Sequence, residues 1–441
     1  MEATAQSVED QLVNSLSFKL NPGASYVTNR RSVTYYPHGG NSYSSNGVKV
    51  IKLMLTGSDW LDPGTVRLVF DVACTDSVTT NSLLPISGPW ALFRRLRILC
   101  GGQVVEDIDN YARTHEMFSL LQPRDTREND DIEGFGNGLP NSSTNLYDPQ
   151  YLYDGIPAGS SVTVSMRFLS GLLNQDKFLP IRYCPITIEL ELCNQMTDPF
   201  TIEGVVGERA ASQSWLIQNV MLKADVVTLD NSLDNEYAQH LLEGKSLPIN
   251  YSSYTSQLLS LQSSGGTFSA NVTRSFTRLK SVFATFYNNN RVTYGDLDTK
   301  FGKDWKYFYH PMATADSKAY DPANEMELQI QVGSKLMPEY PVRSTKEAFY
   351  QLRKCLGIHG STWHNISCTE IQYRTNRFIF GIDCEKMLSA GFTGLNTKAG
   401  DLMTVRAKCL GAAAKSPDSM YVVLHSDQIL NIKDSGVEVL E

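Results

Sequence analysis

The stretch RRLRILCGGQVVED at residues 94–107 decides the fold class, because it has the pattern of a β-hairpin. Within residues 94–100, large apolar residues alternate with arginines, which is the two-residue period of a strand with one buried face. Gly101 and Gly102 follow, and glycine adopts a positive φ without strain, as a two-residue hairpin turn requires. Residues 103–105 then predict the returning strand.

Similar alternation occurs on both sides of this hairpin and again in the second half of the chain. One buried face per strand is typical of antiparallel sheets, and many short strands with few helices predict an all-β protein built from sandwiches or barrels. The alternating segments are Val66 to Val72, Val162 to Phe168, Ile186 to Leu192, Val282 to Phe286, Met326 to Val332, Phe378 to Ile382, Leu402 to Val405 and Met420 to Leu424.

A chain of 441 residues is longer than one hydrophobic core usually serves, so two domains are expected. The two strand series are separated by residues 230–243, where Leu233, Tyr237 and Leu241 share a helical face that ends at Gly244. The predicted division is an N-terminal arm and edge segment at 1–45, a first unit at 46–229, a helical linker at 230–256 and a second unit at 257–441.

Three further helices are predicted. One covers residues 110–121. Another covers residues 345–356, where Ser344 and Glu347 have the spacing of a capping box. In the N-terminal arm, the spacing of Val8, Leu12 and Leu16 predicts a short amphipathic helix.

Two long stretches without strand alternation interrupt the series, at residues 122–160 and 288–325. Each contains the tripeptide Tyr-Asp-Pro, and each lies at a similar depth in its half. Loops of this length are uncommon and tend to be functional. Their matching places predict one architecture used twice.

The charge and the cysteines limit the function classes. The net charge is −8, and the sequence has no basic patch or tail of the kind that binds a nucleic-acid backbone. The eight cysteines form no CxxC pair and lie mostly in apolar runs, which predicts reduced, buried thiols and synthesis in a reducing compartment. No secretory signal and no apolar run long enough to span a bilayer is evident.

No catalytic or cofactor-binding constellation is evident. His359 and His364 lie near two cysteines but lack a second ligand pair of the kind that zinc sites use. The glycine-rich segment 134–138 follows acidic residues rather than an apolar strand, so it does not fit a phosphate loop. His115 and Glu116 on the predicted first helix are expected to be structural. The sequence therefore predicts no enzyme activity, no cofactor and no metal.

The segment Gly88 to Met117, which contains the opening hairpin, begins an ordered series of short motifs. The others are Trp60 to Pro63, Leu179 to Tyr183, Met337 to Pro341, Phe378 to Lys386 and Gly394 to Thr397.

This series resembles the double jelly-roll major capsid proteins of Polinton-type elements, adintoviruses and Polinton-like viruses. These proteins belong to the wider lineage of virophages, adenoviruses and giant viruses. The resemblance covers roughly residues 24–440. It implies two consecutive eight-stranded antiparallel jelly rolls with a few short helices, standing side by side.

The resemblance also implies a structural role. Three chains form a homotrimer with a pseudo-hexagonal outline, and trimers contact neighbouring trimers in an icosahedral shell around double-stranded DNA. A single jelly-roll penton protein and minor capsid proteins are the implied partners. The implied location is the virion, after assembly in the cytoplasm or nucleus of a host cell. No sequence-specific nucleic-acid binding is expected.

A permanent trimer needs apolar and aromatic anchors, and the two long loops supply candidates. The arm residues Val8, Leu12 and Leu16 are the candidates for contacts beneath a neighbouring trimer. A carbohydrate-binding jelly-roll protein, with aromatic loop residues against glycans, is the alternative function. The predicted trimer contacts are Trp305, Tyr307, Phe308, Tyr309, Tyr147, Tyr151 and Tyr153.

Overall fold

The structure is a computed structural model of the 441-residue chain. Its strands fall into two series that are joined by one helix. The residues that it describes are 27–135, 155–195, 198–200, 205–206, 209–261, 267–287, 308, 326–358, 366, 368–375, 377–387, 393–398, 402–409 and 419–441.

The first half is a sandwich of two main sheets with a small third sheet beside them. The main sheets have the strand orders β1-β13-β4-β9 and β3-β10-β6-β7, and the small one has the order β11-β12-β5-β8. The strands are β1 (Val27–Tyr35), β2 (Ser42–Tyr43), β3 (Val50–Leu55), β4 (Trp60–Cys74), β5 (Asn81–Leu83), β6 (Phe93–Cys100), β7 (Gln103–Ile108), β8 (Ile156–Pro157), β9 (Ser161–Met166), β10 (Ile186–Leu192), β11 (Val205–Val206), β12 (Arg209–Ser212) and β13 (Trp215–Leu229).

The second half is a sandwich of two sheets, with the strand orders β14-β21-β16-β19 and β15-β20-β17-β18. A C-terminal strand, β22, pairs with the end of β21. The strands are β14 (Leu247–Ser260), β15 (Thr267–Val272), β16 (Leu279–Tyr287), β17 (Met326–Val332), β18 (Lys335–Val342), β19 (Phe380–Asp383), β20 (Met403–Cys409), β21 (Ser419–Lys433) and β22 (Gly436–Leu440).

The two halves have the same topology. When the main strands of each half are counted from one to eight along the chain, one sheet has the order 1-8-3-6 and the other has the order 2-7-4-5 in both halves. The pairings within these main sheets are antiparallel. This order is that of a jelly roll. The predicted all-β double jelly roll is therefore confirmed.

The opening hairpin forms as the sequence predicts. Cys100 pairs with Gln103 across the turn, and Gly101 and Gly102 have φ values of 53° and 86°. The alternation also holds, because Leu96, Ile98 and Cys100 are buried while Arg95, Arg97 and Leu99 are partly exposed.

The boundaries of the two units differ from those predicted. Residues 27–35, assigned to an arm and edge segment, form β1, the first main strand of the first half. Residues 247–256, assigned to the linker, belong to β14, the first main strand of the second half. The alternation in β14 is hard to recognise because its buried positions include Ser253 and Thr255 as well as Ile249.

Three predicted helices form within a residue of their predicted ends. At the helix that begins at Thr345, the first bond of the predicted capping box is present, since Ser344 Oγ accepts from the Glu347 amide at 3.1 Å. Glu347 Oε2 accepts from the amide of Arg343, one residue before the cap, at 3.1 Å. The helices are α1 (Tyr111–Leu120), α2 (Arg124–Glu133), α3 (Asn231–Leu242), α4 (Thr345–Cys355) and α5 (Glu370–Thr375).

The two long stretches differ from the prediction in two respects. Residues 124–133 of the first form α2, a charged helix without an apolar stripe. The stretches are also not topologically equivalent. The first lies between the fifth and sixth main strands of its half, whereas residues 288–325 lie between the third and fourth. Similar depth along the sequence was therefore not evidence of equivalent position.

Candidate functional site at the seam between the two halves

The two halves meet along a seam, which we define as the contact of β7, α1 and residues 168–177 with β14, β21 and β22. At its centre the backbones approach closely. Gly171 has a φ of −71°, which any residue adopts, but a β-carbon there would overlap the Ser252 carbonyl oxygen. Nearby, Lys177 Nζ donates to the Pro248 carbonyl oxygen at 3.2 Å. The first half thus covers the edge of β14 that faces away from β21.

The two jelly rolls stand side by side in the same direction. The Tyr251 hydroxyl lies 3.0 Å from the Val105 carbonyl oxygen, and Ser256 Oγ donates to the Asp109 carbonyl oxygen. From Val105 to Asp109 on the first half, the contacting residue moves from Tyr251 to Ser256 on the second, so β7 and β14 run in the same direction. Because each strand belongs to a jelly roll of the same topology, equivalent ends of the two rolls lie at the same end of the molecule.

Helix α1 belongs to the first half in sequence but packs into both cores. Its first residue, Tyr111, lies in the first core and its hydroxyl accepts from the Leu169 amide at 2.9 Å. At its other end, Met117 and Leu120 are buried in the second core. Beside them, Phe118 packs on two aromatic rings of the second half, Tyr254 at 4.7 Å and Phe283 at 5.3 Å between ring centroids.

The second half reaches into the first core in return. Ile249 and Tyr251 of β14 and Leu430 and Ile432 of β21 are buried with the apolar residues of the first half. The turn at Gly101 lies against β22, where an added β-carbon would be 2.9 Å from Val437 Cγ2. The exchange of side chains in both directions fixes the relative position of the rolls.

Hydrogen bonds between polar side chains cross the seam next to these apolar contacts. Thr114 Oγ1 and the Tyr421 hydroxyl are 2.5 Å apart, and the same hydroxyl lies 3.3 Å from the Asn110 carbonyl oxygen. Within the second half, the Tyr251 hydroxyl donates to Gln428 Oε1 at 2.6 Å. Buried polar groups cost stability unless they are paired, so these partners specify one relative arrangement of the halves.

A buried carboxyl group supports the loop that carries Gly171. Glu106 is 1% exposed, and its oxygens accept from Ser170 Oγ, from the Gly171 amide at 2.9 Å and from the Leu172 amide at 3.4 Å. Burial raises the pKa of Glu106 to about 7, although these hydrogen bonds act to lower it. Its charge state therefore changes near neutral pH.

A second buried carboxyl group anchors α1 to the first half. Glu116 is 3% exposed and accepts from Ser87 Oγ, from Trp90 Nε1 at 3.1 Å and from the Arg127 guanidinium at 3.1 Å. His115 stacks on Trp90 with ring centroids 4.1 Å apart, and burial lowers the pKa of His115 to about 4. The Arg127 contact also joins α2 to α1.

Of the predicted trimer contacts, Phe308 alone lies among the described residues. It is 1% exposed and belongs to the second core, and its carbonyl oxygen accepts from the Phe378 amide at 2.8 Å. Burial within its own chain leaves the Phe308 side chain almost no surface for another chain. Outside the described residues lie Trp305, Tyr307, Tyr309, Tyr147, Tyr151, Tyr153 and the arm residues Val8, Leu12 and Leu16.

The described part of the chain holds no group of three or more His, Cys, Asp and Glu side chains that could bind a metal ion. Of the eight cysteines, the seven whose side chains are described are free thiols, and five of these are buried. His359 and His364 lie outside the described residues. No helix within the described ranges is long and apolar enough to cross a membrane.

Sequence reasoning did not identify the seam. Glu106 interrupts an apolar strand, and an acidic residue in such a place is a signal of a buried functional or structural carboxyl group. The division of α1 between two cores leaves no comparable signal, because one apolar stripe has the same pattern whichever core it enters.

No protein-family model and no curated protein matches the chain. Solved structures match it over nearly its whole length. The Faustovirus major capsid protein matches with a TM-score of 0.60 and 8% identity, over 95% of this chain and 92% of that chain. A chain of the PBCV-1 virus capsid matches with a TM-score of 0.59 and 10% identity, over 96% of this chain and 98% of that chain. A chain of the Sputnik virophage matches with a TM-score of 0.59 and 11% identity, over 96% and 90%. At this level of identity, what these proteins share with the chain is the fold.

Proposed function

We propose that this chain is a major capsid protein that forms pseudo-hexagonal homotrimers, and that these tile an icosahedral shell around a double-stranded DNA genome. The observation that carries the proposal is the double jelly roll itself. The same eight-strand order occurs twice, and the pair covers at least nine-tenths of a major capsid protein of known structure.

The seam gives this proposal a physical basis. It holds two similar units side by side and in the same direction, so three chains supply six similar units around one axis. Six units of similar outline approximate a hexagon, and hexagons tile a surface. Tiling requires rigid units, and the crossed packing of α1 and β14 supplies that rigidity within each chain.

The finer parts of the proposal rest on the sequence motifs. The ordered series from Trp60 to Thr397 supports a Polinton-type capsid protein. Its partners are then a single jelly-roll penton protein at the vertices, minor capsid proteins, and neighbouring trimers. Its location is the virion, after assembly in the cytoplasm or nucleus. The net charge of −8 supports a shell that encloses DNA without coating it.

The role is structural rather than catalytic, and purification of the full-length chain tests it. Light scattering is expected to give a mass of about three times the 49.1 kDa chain, and negative-stain microscopy is expected to give pseudo-hexagonal particles or closed shells. A monomer that binds glycans on an array would contradict the proposal and support the carbohydrate-binding alternative.

Two further parts of the proposal concern residues outside the described ranges. The aromatic cluster around Trp305 and Tyr309 is proposed to stabilise the trimer, so replacing both with Ala should lower the mass measured by light scattering. An unchanged trimer would contradict this.

Residues 1–22, through Val8, Leu12 and Leu16, are proposed to bind beneath a neighbouring trimer. Their removal should leave trimers intact and prevent normal shells, and normal shells from the truncated chain would contradict this.

A further inference from the structure

Two cysteines lie side by side at the end of the first jelly roll that carries the hairpin turn. Cys100 is the last residue of β6, and its partner across the ladder is Ile186 of β10. Cys184 lies two residues before Ile186, and the amide of Gly101, next to Cys100, donates to the Pro185 carbonyl oxygen at 2.9 Å. Side chains two positions apart on an extended chain point to the same side, so the register brings both thiols to one face of the sheet.

Both thiols are buried, and both belong to the core of the first half. They also contact each other. The pKa of the Cys100 thiol is raised well above its ordinary value, first by its hydrogen bond with the Cys184 side chain and then by burial. Backbone register, burial and side-chain contact therefore agree in placing the two sulfur atoms next to each other.

We propose that Cys100 and Cys184 form an oxidation site, at which a small disulfide such as oxidised glutathione converts the two thiols into one disulfide within the chain. In the reducing compartment that the sequence predicts for synthesis, the pair stays as two thiols. The bond forms when the protein passes into an oxidising medium. The chemistry needs only one folded chain, so the inference goes beyond the proposed function and does not depend on trimers.

The exchange takes place in two steps. Cys184 lies between the partly exposed Tyr183 and the exposed Pro185, so its sulfur is reached first. Its thiolate attacks one sulfur of glutathione disulfide, that S–S bond breaks, and one glutathione leaves as a thiolate. The Cys100 thiolate then attacks the Cys184 sulfur of the mixed disulfide and releases the second glutathione. The two protons lost by the cysteines pass to the two glutathione thiolates, so one disulfide is reduced as the other forms.

The exchange is expected to be slow. Burial keeps both sulfur atoms away from the oxidant, and the raised pKa of Cys100 keeps its thiolate fraction small at neutral pH. We therefore expect a time on the order of hours, at the slow end of the range for disulfide formation in proteins. A brief exposure to oxidant then leaves the pair reduced, whereas a long stay in an oxidising medium does not.

The disulfide would join two parts of the first half that hold the second half. Cys100 precedes the turn at Gly101, which lies against Val437 of β22. Cys184 lies near the end of the connection between β9 and β10, and Gly171 of that connection touches β14. A bond between two positions so far apart in sequence constrains the unfolded chain, so the oxidised protein is more stable and its seam opens less often.

Counting free thiols in the purified full-length chain tests the site. The folded chain is held in a buffer of oxidised glutathione, then denatured, alkylated without reduction and weighed by mass spectrometry. We expect alkylation at all eight cysteines before oxidation and at two fewer after it, with a peptide pair joined through Cys100 and Cys184. The matched control is Cys74→Ala, a buried cysteine of the same core, which should still form this disulfide. The Cys184→Ala variant should form none. A wild-type chain that keeps eight thiols, or that joins only other cysteines, would overturn the inference.

Hydrogen exchange tests the effect on the seam. We expect the amides of β7 and of residues 168–177 to exchange more slowly in the oxidised chain than in the reduced chain. The Cys184→Ala variant should show no difference between the same two buffers. A disulfide that forms without slowing this exchange would overturn its role at the seam. Both measurements apply to a monomer as well as to a trimer, so their failure leaves the proposed function standing, and a wild-type monomer would contradict the proposed function alone.

Discussion

Gly171 and Ser252 bring the backbones of the two jelly rolls into direct contact. The φ of Gly171 is −71°, so glycine is not required there by its conformation, but a β-carbon would overlap the Ser252 carbonyl oxygen. The glycine is needed for space. The distance between the two rolls is thus set by a residue without a side chain.

Replacing Gly171 with Ala should push β14 away from the loop. We expect the free energy of unfolding to fall by about 1–3 kcal/mol, the usual cost of overpacking. Denaturant unfolding of the full chain measures this change. The control is Gly64→Ala, because an added β-carbon there would be 3.7 Å from its nearest neighbour, Asp62 Oδ1. Equal stability of the two variants would contradict the role assigned to the close approach.

Glu106 should make the protein more stable in mild acid than at neutral pH. Burial raises its pKa from 4.5 to about 7 in the folded state, so between these values the folded chain holds a proton that the unfolded chain has released. Stability is then greatest below pH 4.5, falls as the pH rises to about 7, and is level above that. The difference from this residue is about 3 kcal/mol.

The Glu106→Gln variant tests this dependence, because its side chain does not ionise. We expect the free energy of unfolding to fall less between pH 5 and pH 8 in the variant than in the wild type. Glu438→Gln is the control, since that side chain is half-exposed and pairs with Lys433. A Glu106→Gln protein with the same pH profile as the wild type would show that ionisation of this carboxyl group does not cause the pH dependence.

Tyr251 should contribute through its hydroxyl group as well as its ring. Its side chain is 4% exposed and lies within hydrogen-bond distance of the Val105 carbonyl and Gln428 Oε1. Replacing it with Phe keeps the ring but removes the single hydroxyl hydrogen that lies between these two acceptors, which costs about 1–3 kcal/mol. The same change at Tyr350, which is 54% exposed, should cost less than about 0.5 kcal/mol. Denaturant unfolding compares the two.

The sequence allowed the fold class to be predicted because alternation and turn chemistry are local. The hairpin at Gly101 and Gly102 and the capped helix after Ser344 depend on residues within a few positions of each other. The strand β14 was assigned to the linker because polar residues, among them Ser253 and Thr255, occupy buried positions and hide its alternation.

The seam could not be predicted by the same means. Asp109 and Ser256 meet across 147 positions of sequence, and Thr114 and Tyr421 meet across 307. No local period encodes such pairs. The helix at residues 110–121 was predicted, but the core that each end of it enters is set by the relative placement of two complete domains.

Met117 gives the clearest test of whether the two jelly rolls unfold as one unit. Its helix belongs to the first half, but its side chain is fully buried in the second core. Truncation to Ala should cost about 2–5 kcal/mol. Because α1 is shared, we expect faster hydrogen exchange both in β16 of the second half and in β4 of the first. Leu68→Ala, a truncation in β4 within the first core, should have the same effect on both strands. If each variant instead changes exchange only in the half whose core it alters, the halves unfold independently and the seam does not couple them.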